Sequence, residues 1–585
     1  MSVKFPFQKS ISSFCLFLIA SIPHIFAQPI INSFSPVSGT IGTNVTITGS
    51  NFDSSPANNI VYFGAVKASV ISASPNVLIV TVPAGATNQP FSVSTANLTA
   101  YSGQPFTVTF PGNDNTLSPG SFAPKPTYGT NYFPWSMAVS DFDGDGKADI
   151  ALGGYQGNNA FSILRNSSVL HDISFAAPVT FQTNNAYARG FYAGDLDGDG
   201  KQDLIVSTDL PNIVAVFKNT SSVGVISFEP EIPLFSGTSP FGVAIGDLDN
   251  DGKPDIVSAN YGSSNISVFK NTSSNGIISF DTDTKYSSGT GMNVSPQNIA
   301  IRDLDADGKA EIVVTNVGNN SISIFKNNSI PGTISLGMKT DYPTGSYPRC
   351  VAIGDLDGDG KPDISVSVQN ENLVSVFKNN STNGTISFSK SMDLSAGSNT
   401  YGIAVSDISG DGMPDIVATN AGTNTVSVFK NTSQAGIISF TAGRSYVAGL
   451  NPYWASIADF DGDGQADIAA SSYNGPYGAI AILRNKMPEP YIASFSPLNA
   501  FTGFSVTIRG ANFKSATGVT FGNATAQSFI INSDSVITAV VGNGASGKVK
   551  ITNQYGIDSL AGFAFIPPPV INYFTPAKAA KGTTI

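Results

Sequence analysis

The sequence predicts an all-β chain: a seven-bladed β-propeller with small antiparallel β-sandwiches on either side. Three observations carry this. A nine-residue acidic stretch occurs seven times, starting at Asp141, Asp195, Asp247, Asp303, Asp355, Asp407 and Asp459, at steps of 52 to 56 residues. Each step holds four short apolar runs, which is the make-up of a propeller blade. Outside the repeats, short alternating runs punctuated by Gly, Pro and Asn read as sandwich strands. The composition agrees, with 58 Gly, 35 Pro and only 12% charged residues in 585. That is the palette of strands and turns, in a chain too long for one core.

In chain order, residues 1–27 read as a secretory signal peptide. Lys4 and Lys9 form a positive start, Phe14 to Ala20 an apolar centre, and Ala27 a cleavage position. The apolar run is too short for a membrane anchor, and no other segment of the chain is long and apolar enough to span a bilayer. Cys15 leaves with the signal, so Cys350 is the one cysteine of the mature chain and no internal disulfide forms. Cys350 is expected to be a buried apolar residue. A secreted or cell-surface setting without disulfides calls for another cross-link, and bound ions are one.

Residues 29–111 open with Phe34-Ser-Pro36, then Gly49-Ser-Asn-Phe52, then Phe63-Gly64. Residues 491–566 repeat the order with Phe495-Ser-Pro497, Gly510-Ala-Asn-Phe513 and Phe521-Gly522, and 569–585 begins it again at Phe574-Thr-Pro576. These modules resemble IPT/TIG domains, so immunoglobulin-like sandwiches are implied. The third stops after one strand, and the sequence is therefore expected to be part of a longer protein.

Residues 118–486 hold the blades. Phe241 to Gly246 is strand one of a unit, Asp255 to Asn260 strand two and Ile266 to Asn271 strand three; strand four is the Ile277-Ile-Ser-Phe280 run with the residues just after it. The seventh unit lacks a fourth strand, while Ser121 to Gly129 precedes the first loop with no blade of its own. Pairing the two closes the ring and hides both sheet edges.

The loops read Asp-x-Asp-x-Asp-Gly-x-x-Asp. Carboxylates at positions 1, 3, 5 and 9 and a carbonyl at 7 converge into an all-oxygen shell, and Gly at 6 permits the turn; hard oxygens in a flexible loop suit Ca2+. An EF-hand carries Glu at position 12, where this chain has Leu152, Val206, Ser258, Val314, Val366, Ala418 and Ala470. The cation is thus held between two strands of a sheet. Four positions in seven loops give 28 sites, all acidic except Ser409, so 27 of the 41 acidic residues lie there. The formal charge of −11 is therefore concentrated, and with no basic stripe nucleic-acid binding is disfavoured and no nucleic-acid partner is expected.

Loops and blades together resemble FG-GAP/VCBS repeats, the type found in integrin alpha-chain propellers. The resemblance implies about one Ca2+ per blade. Its ligands are Asp141, Asp143, Asp145 and Asp149; Asp195, Asp197, Asp199 and Asp203; Asp247, Asp249, Asp251 and Asp255; Asp303, Asp305, Asp307 and Glu311. The later blades supply Asp355, Asp357, Asp359 and Asp363; Asp407, Ser409, Asp411 and Asp415; and Asp459, Asp461, Asp463 and Asp467. The sixth site loses a charge at Ser409 and is expected to be weakest. A saturated shell favours a structural ion over a regulatory one.

Six residues before the loops stand Trp135, Arg189, Phe241, Gln297, Arg349, Tyr401 and Tyr453, with Trp454 beside the last. They are expected to ring the channel mouth opposite the loops, as ligand anchors or as blade packing. Asn158, Asn159, Gly262, Asn319 and Asn320 lie in turns of the same side. The Lys-Asn-Thr-Ser runs at Lys218 and Lys270 match glycosylation sequons but recur as turns. His171 is the single mature histidine, placed before a fourth strand and expected to be exposed, and no catalytic residue is nominated. The expected function is adhesion, with an extracellular protein or glycan as partner. A polysaccharide-active enzyme of lyase type, or a passive spacer of a larger surface protein, is the alternative.

Overall fold

The computed structural model describes residues 27–109, 117–123, 127–130, 133–155, 159–183, 187–274, 276–289, 294–474, 477–486, 489–553 and 555–570, with 572, 573, 578 and 580–582 beyond. The signal sequence up to Phe26, Asn158 and most of the third sandwich module lie outside the described residues.

Strand one of each blade runs into an acidic loop, and strand two returns from it. Blade 3 shows the pattern: Pro240–Gly246, Asp255–Asn260, Asn265–Phe269 and Thr284–Ser287 form an antiparallel sheet in that order. Among the described residues seven such four-stranded sheets succeed each other from Phe133 to Leu483. Every residue of strand two is buried in blades 2 to 6, as at Asp203–Thr208, because a neighbouring blade covers each face. The cores lie between blades: Leu204, Val206, Ile213 and Ala215 of blade 2 pack with Ala138, Ala151, Phe161 and Ile163 of blade 1.

The seventh sheet is closed by the strand that precedes the first blade. Thr127–Thr130 pairs antiparallel with Tyr477–Leu483, Tyr128 opposite Ile480, and Phe122 bridges Asn485. Tyr128 donates from its hydroxyl to Ile173 O at 2.5 Å and packs edge-on against Phe175, 5.1 Å between ring centres, so it holds blade 7 to blade 1. The fourth strands need one correction. In blade 3 the Ile277 to Phe280 run is not a ladder strand; Ile277 bridges Ser274, Phe280 bridges Asn271, and the strand proper is Thr284–Ser287. The run returns along the end of strand three before the chain crosses to the sheet edge.

The flanking modules are sandwiches. The first joins Ile30–Ser35, Asn44–Ser50, Val77–Thr81, Val66–Ser74, Asn59–Phe63, Pro90–Thr95 and Leu98–Pro105 around Val45, Ile47, Leu78, Phe63 and Phe91. The second packs Tyr491–Ser496, Ser505–Ala511, Val536–Val540 and Ser528–Ser533 on a five-stranded sheet over Ile508, Phe513, Phe521 and Ile551. Their shared Gly-x-Asn-Phe motif has a steric origin. A side chain on Gly49 would collide with Ile30 O and the Phe52 ring, and one on Gly510 with Tyr491 O and the Phe513 ring. The intervening Asn51 and Asn512 take φ of 63° and 61°, which Asn tolerates better than most residues.

The first sandwich sits across the loop end of the propeller. Tyr62 Oη donates to Gly200 O at 2.8 Å, Thr99 N to Gly252 O at 2.7 Å and Gln104 Nε2 to Gly360 O at 3.2 Å, each acceptor being the position-6 carbonyl of a loop. Asp141 N donates to Ala65 O at 3.0 Å, and Asn88 Nδ2 to Val405 O at 3.1 Å. One end of the channel is therefore roofed.

Closure gives a direct test. Tyr128→Pro removes a ladder N–H and the ring that joins blades 1 and 7, and is expected to lower the melting temperature clearly. Tyr128→Phe loses one hydrogen bond and should cost about 1 kcal/mol in urea unfolding. Equal, negligible effects of both would show that the ring does not depend on this strand.

Candidate metal centres

The acidic loops are shaped by their own backbone. In the first, Asp141 accepts from Gly144 N at 2.8 Å and Asp145 N at 3.0 Å on one oxygen and from Gly146 N at 2.9 Å on the other. Gly146 takes φ of 88°, and the position-6 glycines of the other six loops lie between 84° and 90°. That left-handed turn favours glycine strongly and aims the amide back at position 1. The position-9 carboxylate is tied at both oxygens. Asp149 accepts from Phe142 N at 3.0 Å and Asn166 N at 2.7 Å, and Glu311 keeps both bonds in the fourth loop, from Leu304 N at 2.9 Å and Asn327 N at 3.3 Å. The longer acid is accommodated by lengthening the second bond.

Carboxylate oxygens of Asp141, Asp143 and Asp149 lie within 4.8 Å of one another, as do those of Asp195, Asp197 and Asp199, of Asp247, Asp249 and Asp251, and of Asp303, Asp305 and Glu311. Asp143, Asp149, Asp203, Asp255, Asp357 and Asp415 are among those almost wholly buried. Oδ1 of Asp249, Asp303, Asp305 and Asp355 is buried with no hydrogen-bond partner, and so is Oγ of Ser409. Leaving such acceptors dry and unpaired is costly, and a hard cation at the centre of the loop satisfies them together. The residues present therefore fit a divalent ion with oxygen ligands. Ser409 keeps an oxygen in its place in the sixth loop while dropping the charge.

Burial and mutual repulsion together raise the carboxyl pKa values. Burial, opposed by backbone N–H donors and reinforced by neighbouring carboxylates, raises Asp141 to about 6, Asp195, Asp247, Asp407 and Asp459 to about 7, and Asp149 and Asp255 to about 8. Asp203, Asp415 and Asp467 are pushed well up for the same reason.

Two sets of residues around the loops were not recognised as functional from the sequence. Strand three of every blade ends in a cation followed by Asn. Lys218 pairs with Asp197 and Asp199, Lys270 with Asp249 and Asp251, Lys326 with Asp305 and Asp307, and Lys378 with Asp357 and Asp359. Arg165 and Arg484 do the same in blades 1 and 7, and Lys430 reaches Asp411 at 3.2 Å. One positive charge thus offsets part of the negative charge of each loop. His171, 46% exposed in its side chain, reaches from blade 1 to Asp463 of blade 7 at 3.2 Å.

The asparagines form a ring. Asn271 N donates to Asp255 Oδ1 at 2.8 Å, and its Nδ2 donates at 2.9 Å to Pro254 O in its own loop and to Leu196 O in the preceding blade's loop. Asn166, Asn219, Asn327, Asn379, Asn431 and Asn485 repeat this, and Asn166 Nδ2 to Phe460 O at 2.9 Å joins blade 1 to blade 7. All seven are at most 1% exposed. The sequon-like runs are therefore structural turns whose Asn is inaccessible to a glycosyl donor in the folded chain, with Asn219 Oδ1 accepting from Ser221 N at 2.8 Å. Their recurrence 16 to 18 residues after each position-9 acid was the available signal.

At the opposite mouth the aromatic set converges. Trp135 stacks on Tyr453 at 5.2 Å and meets Phe241 and Tyr401 edge-on at 5.9 and 6.2 Å. Arg189 lies over Trp135 and Phe241, and Arg349 over Tyr401 at 4.7 Å. Gln297 donates to Tyr401 Oη at 2.8 Å and accepts from Arg349 at 2.9 Å. A bulge comes after the proline in strand one of most blades, as between Pro240 and Val243, and turns these side chains toward the channel. Gln297 and Tyr401 are buried, while Trp135, Arg189, Phe241, Arg349, Tyr453 and Trp454 keep part of their surface. Asn159 and Asn320 occupy left-handed turn positions with φ of 53° and 52°. Cys350 is buried beside this plug, which pushes its thiol up to about 12 and leaves it unreactive.

Comparison with known proteins matches the family described as FG-GAP-like repeat to residues 141–206, 195–258, 247–314, 303–366, 364–418 and 407–470, and the IPT/TIG domain to 29–110 and 490–562. Cartilage acidic protein 1 of Xenopus tropicalis is 25% identical over 428 residues, covering 64% of this chain, which spans 62% of that protein's length. Among solved structures, an auxiliary nutrient binding protein of Bacteroides ovatus is similar at 14% identity over 78% of this chain and 99% of its own, with a TM-score of 0.33. An Agrocybe aegerita lectin recognising non-reducing terminal N-acetylglucosamine is similar at 17% identity over 68% of this chain and 91% of its own, with a TM-score of 0.37.

Two outcomes are expected here. The raised carboxyls hold protons that the unfolded chain, with ordinary Asp near 3.8, releases. Between about pH 4 and 8 the native metal-free state thus binds more protons than the unfolded one, and its stability falls as pH rises. Differential scanning calorimetry in EGTA should show melting lower at pH 8 than at pH 5, and a larger gain from added calcium at pH 8. Asn271→Ala strands two buried carbonyls and should cost about 2 kcal/mol or more, whereas Asn380→Ala, one residue after a ring position and exposed, should cost under about 0.5. Equal costs would remove the ring from the account.

Proposed function

This chain belongs to the FG-GAP-like repeat family, and from that premise we propose that it is an exported, calcium-rigidified binding protein. The residues proposed as the calcium ligands are those of positions 1, 3, 5 and 9 in each loop, from Asp141 to Asp467. The observation that carries the reading is the set of buried carboxylate oxygens without partners in the third, fourth and fifth loops, at Asp249, Asp303, Asp305 and Asp355. Calcium is the cation of choice because the donors are all oxygen and the loop is flexible; Mg2+ prefers fewer protein ligands and more water. The ions act as staples. Each fixes the hairpin at the start of one blade, and the asparagine ring passes that order to the next.

Export is supported by the charged and apolar start of the sequence, with Lys4, Lys9 and the Phe14 to Ala20 run. The relative named for cartilage agrees with an extracellular setting. No helix of the described residues is long and apolar enough to cross a membrane.

The ligand, an extracellular protein or glycan, is proposed to bind at the aromatic mouth. The first sandwich covers the loop end, so the plug of Trp135, Arg189, Phe241, Arg349, Tyr453 and Trp454 is the free end of the channel. Half-buried aromatic rings and guanidinium groups are suited to anchoring a partner. Gln297 and Tyr401 form the floor and hold Arg349 in place.

The test is a glycan and matrix-protein array probed with the full chain in calcium and in EGTA. Binding should appear in calcium, weaken in EGTA, and fall at least tenfold in the Trp135→Ala, Arg349→Ala double variant. Undiminished binding by that variant, with its melting temperature intact, would move the ligand elsewhere.

A further inference from the structure

Beneath the roof formed by the first sandwich, the loop end of the channel opens into a chamber of about 670 Å3. The repeats build this part of the channel from small residues. The position just before each loop holds Ser140, Gly194, Gly246, Gly354, Ser406 and Ala458 in six blades and Arg302 in blade 4. Two positions earlier, where the side chain falls on the same face of the strand, six blades have Ala or Ser and blade 2 has Tyr192. The two large departures from the repeat both line the chamber.

Arg302 has no counterpart there. It is 8% exposed, its Nε is buried without a hydrogen-bond partner, and among the described residues no carboxylate lies within ion-pair distance. An arginine guanidinium keeps its charge at neutral pH. Asp303 and Asp355 are the acids whose charge reaches it, and both belong to metal loops, as do Asp195 and Asp247, which line the chamber together with Asp303. A buried cation without a partner is expensive, and the fold does not require it, since six blades manage with a small residue.

We propose that this chamber is a binding site for a small carboxylated, polyhydroxylated ligand of the uronic-acid class, with Arg302 pairing its carboxylate. A single guanidinium matches a single carboxylate, in two parallel hydrogen bonds. The half-buried rings of Tyr101 and Tyr192 offer faces for a sugar ring, and Gln89 and Ser92 offer an amide and a hydroxyl. The volume suits a ligand of one or two sugar units. Tyr101, Gln89 and Ser92 come from the sandwich and Arg302 and Tyr192 from the propeller, so the ligand would hold the two together.

The experiment uses the full chain in calcium, with thermal melts and titration calorimetry against D-galacturonate and D-galactose. Galacturonate at 10 mM is expected to raise the melting temperature, and galactose is not. Arg302→Met should melt no lower than wild type without ligand, because it removes an unpaired charge, and should lose at least tenfold in galacturonate affinity; Arg302→Lys should keep part of it. No galacturonate shift, an equal galactose shift, or a lower melting temperature of ligand-free Arg302→Met would overturn the proposal. A retained galacturonate shift in a protein indifferent to calcium would leave this site standing and contradict the metal reading instead.

Discussion

Repulsion among like charges packed into a nine-residue turn is the constraint that shapes this architecture. Four carboxylates are drawn together by backbone amides, as Gly146 N and Asn166 N draw Asp141 and Asp149, and burial removes the water that would screen them. One lysine or arginine per blade, such as Lys270, offsets part of that charge from the rim. The remaining deficit is met by a central divalent cation or by protons, and the raised carboxyl pKa values, caused first by burial and then by the neighbouring carboxylates, express the second choice.

The loops are not independent. Each asparagine at the end of strand three binds its own position-9 acid, its own position-8 carbonyl and the position-2 carbonyl one blade back. Seven such links, closed by Asn166 to Phe460 and by the strand Thr127–Thr130, make a circle in which disorder at one site is felt by its neighbours. The first sandwich adds a second layer of coupling, because it hydrogen-bonds the position-6 carbonyls of three loops. The acidic loops, ring closure and seating of the sandwich are thus linked through shared backbone groups. At the far mouth, Trp135, Tyr401 and Tyr453 pack on each other where strand one of each blade begins, away from the loops.

What the sequence disclosed was whatever repeats. The clustering of the carboxylates at Asp141 and its equivalents is legible because they recur at fixed offsets, and the closing strand because Tyr128 lacks a blade of its own. The Gly49 and Phe52 signature is legible because a steric contact leaves little choice of residue. The Ile277 to Phe280 run was misplaced as a ladder strand because an apolar alternation says that a segment is extended, not which edge it joins. Asn271 was passed over because its local reading, a turn, is correct and hides the longer-range role. The seating of the sandwich on the loops was not legible at all: Tyr62, Thr99 and Gln104 act by surface fit, which has no period. Arg302 was passed over, because its departure is visible only when the residues just before all seven loops are compared.

The claim on which the rest stands is that the acidic loops hold hard divalent ions in the folded chain. Metal content of the purified, calcium-equilibrated full chain, measured by inductively coupled plasma mass spectrometry after rapid desalting, tests it most directly. The account predicts about seven calcium ions per chain, one for each acidic loop in the sequence, with the Ser409 loop the first to empty as free calcium is lowered. One ion or none per folded chain would contradict it.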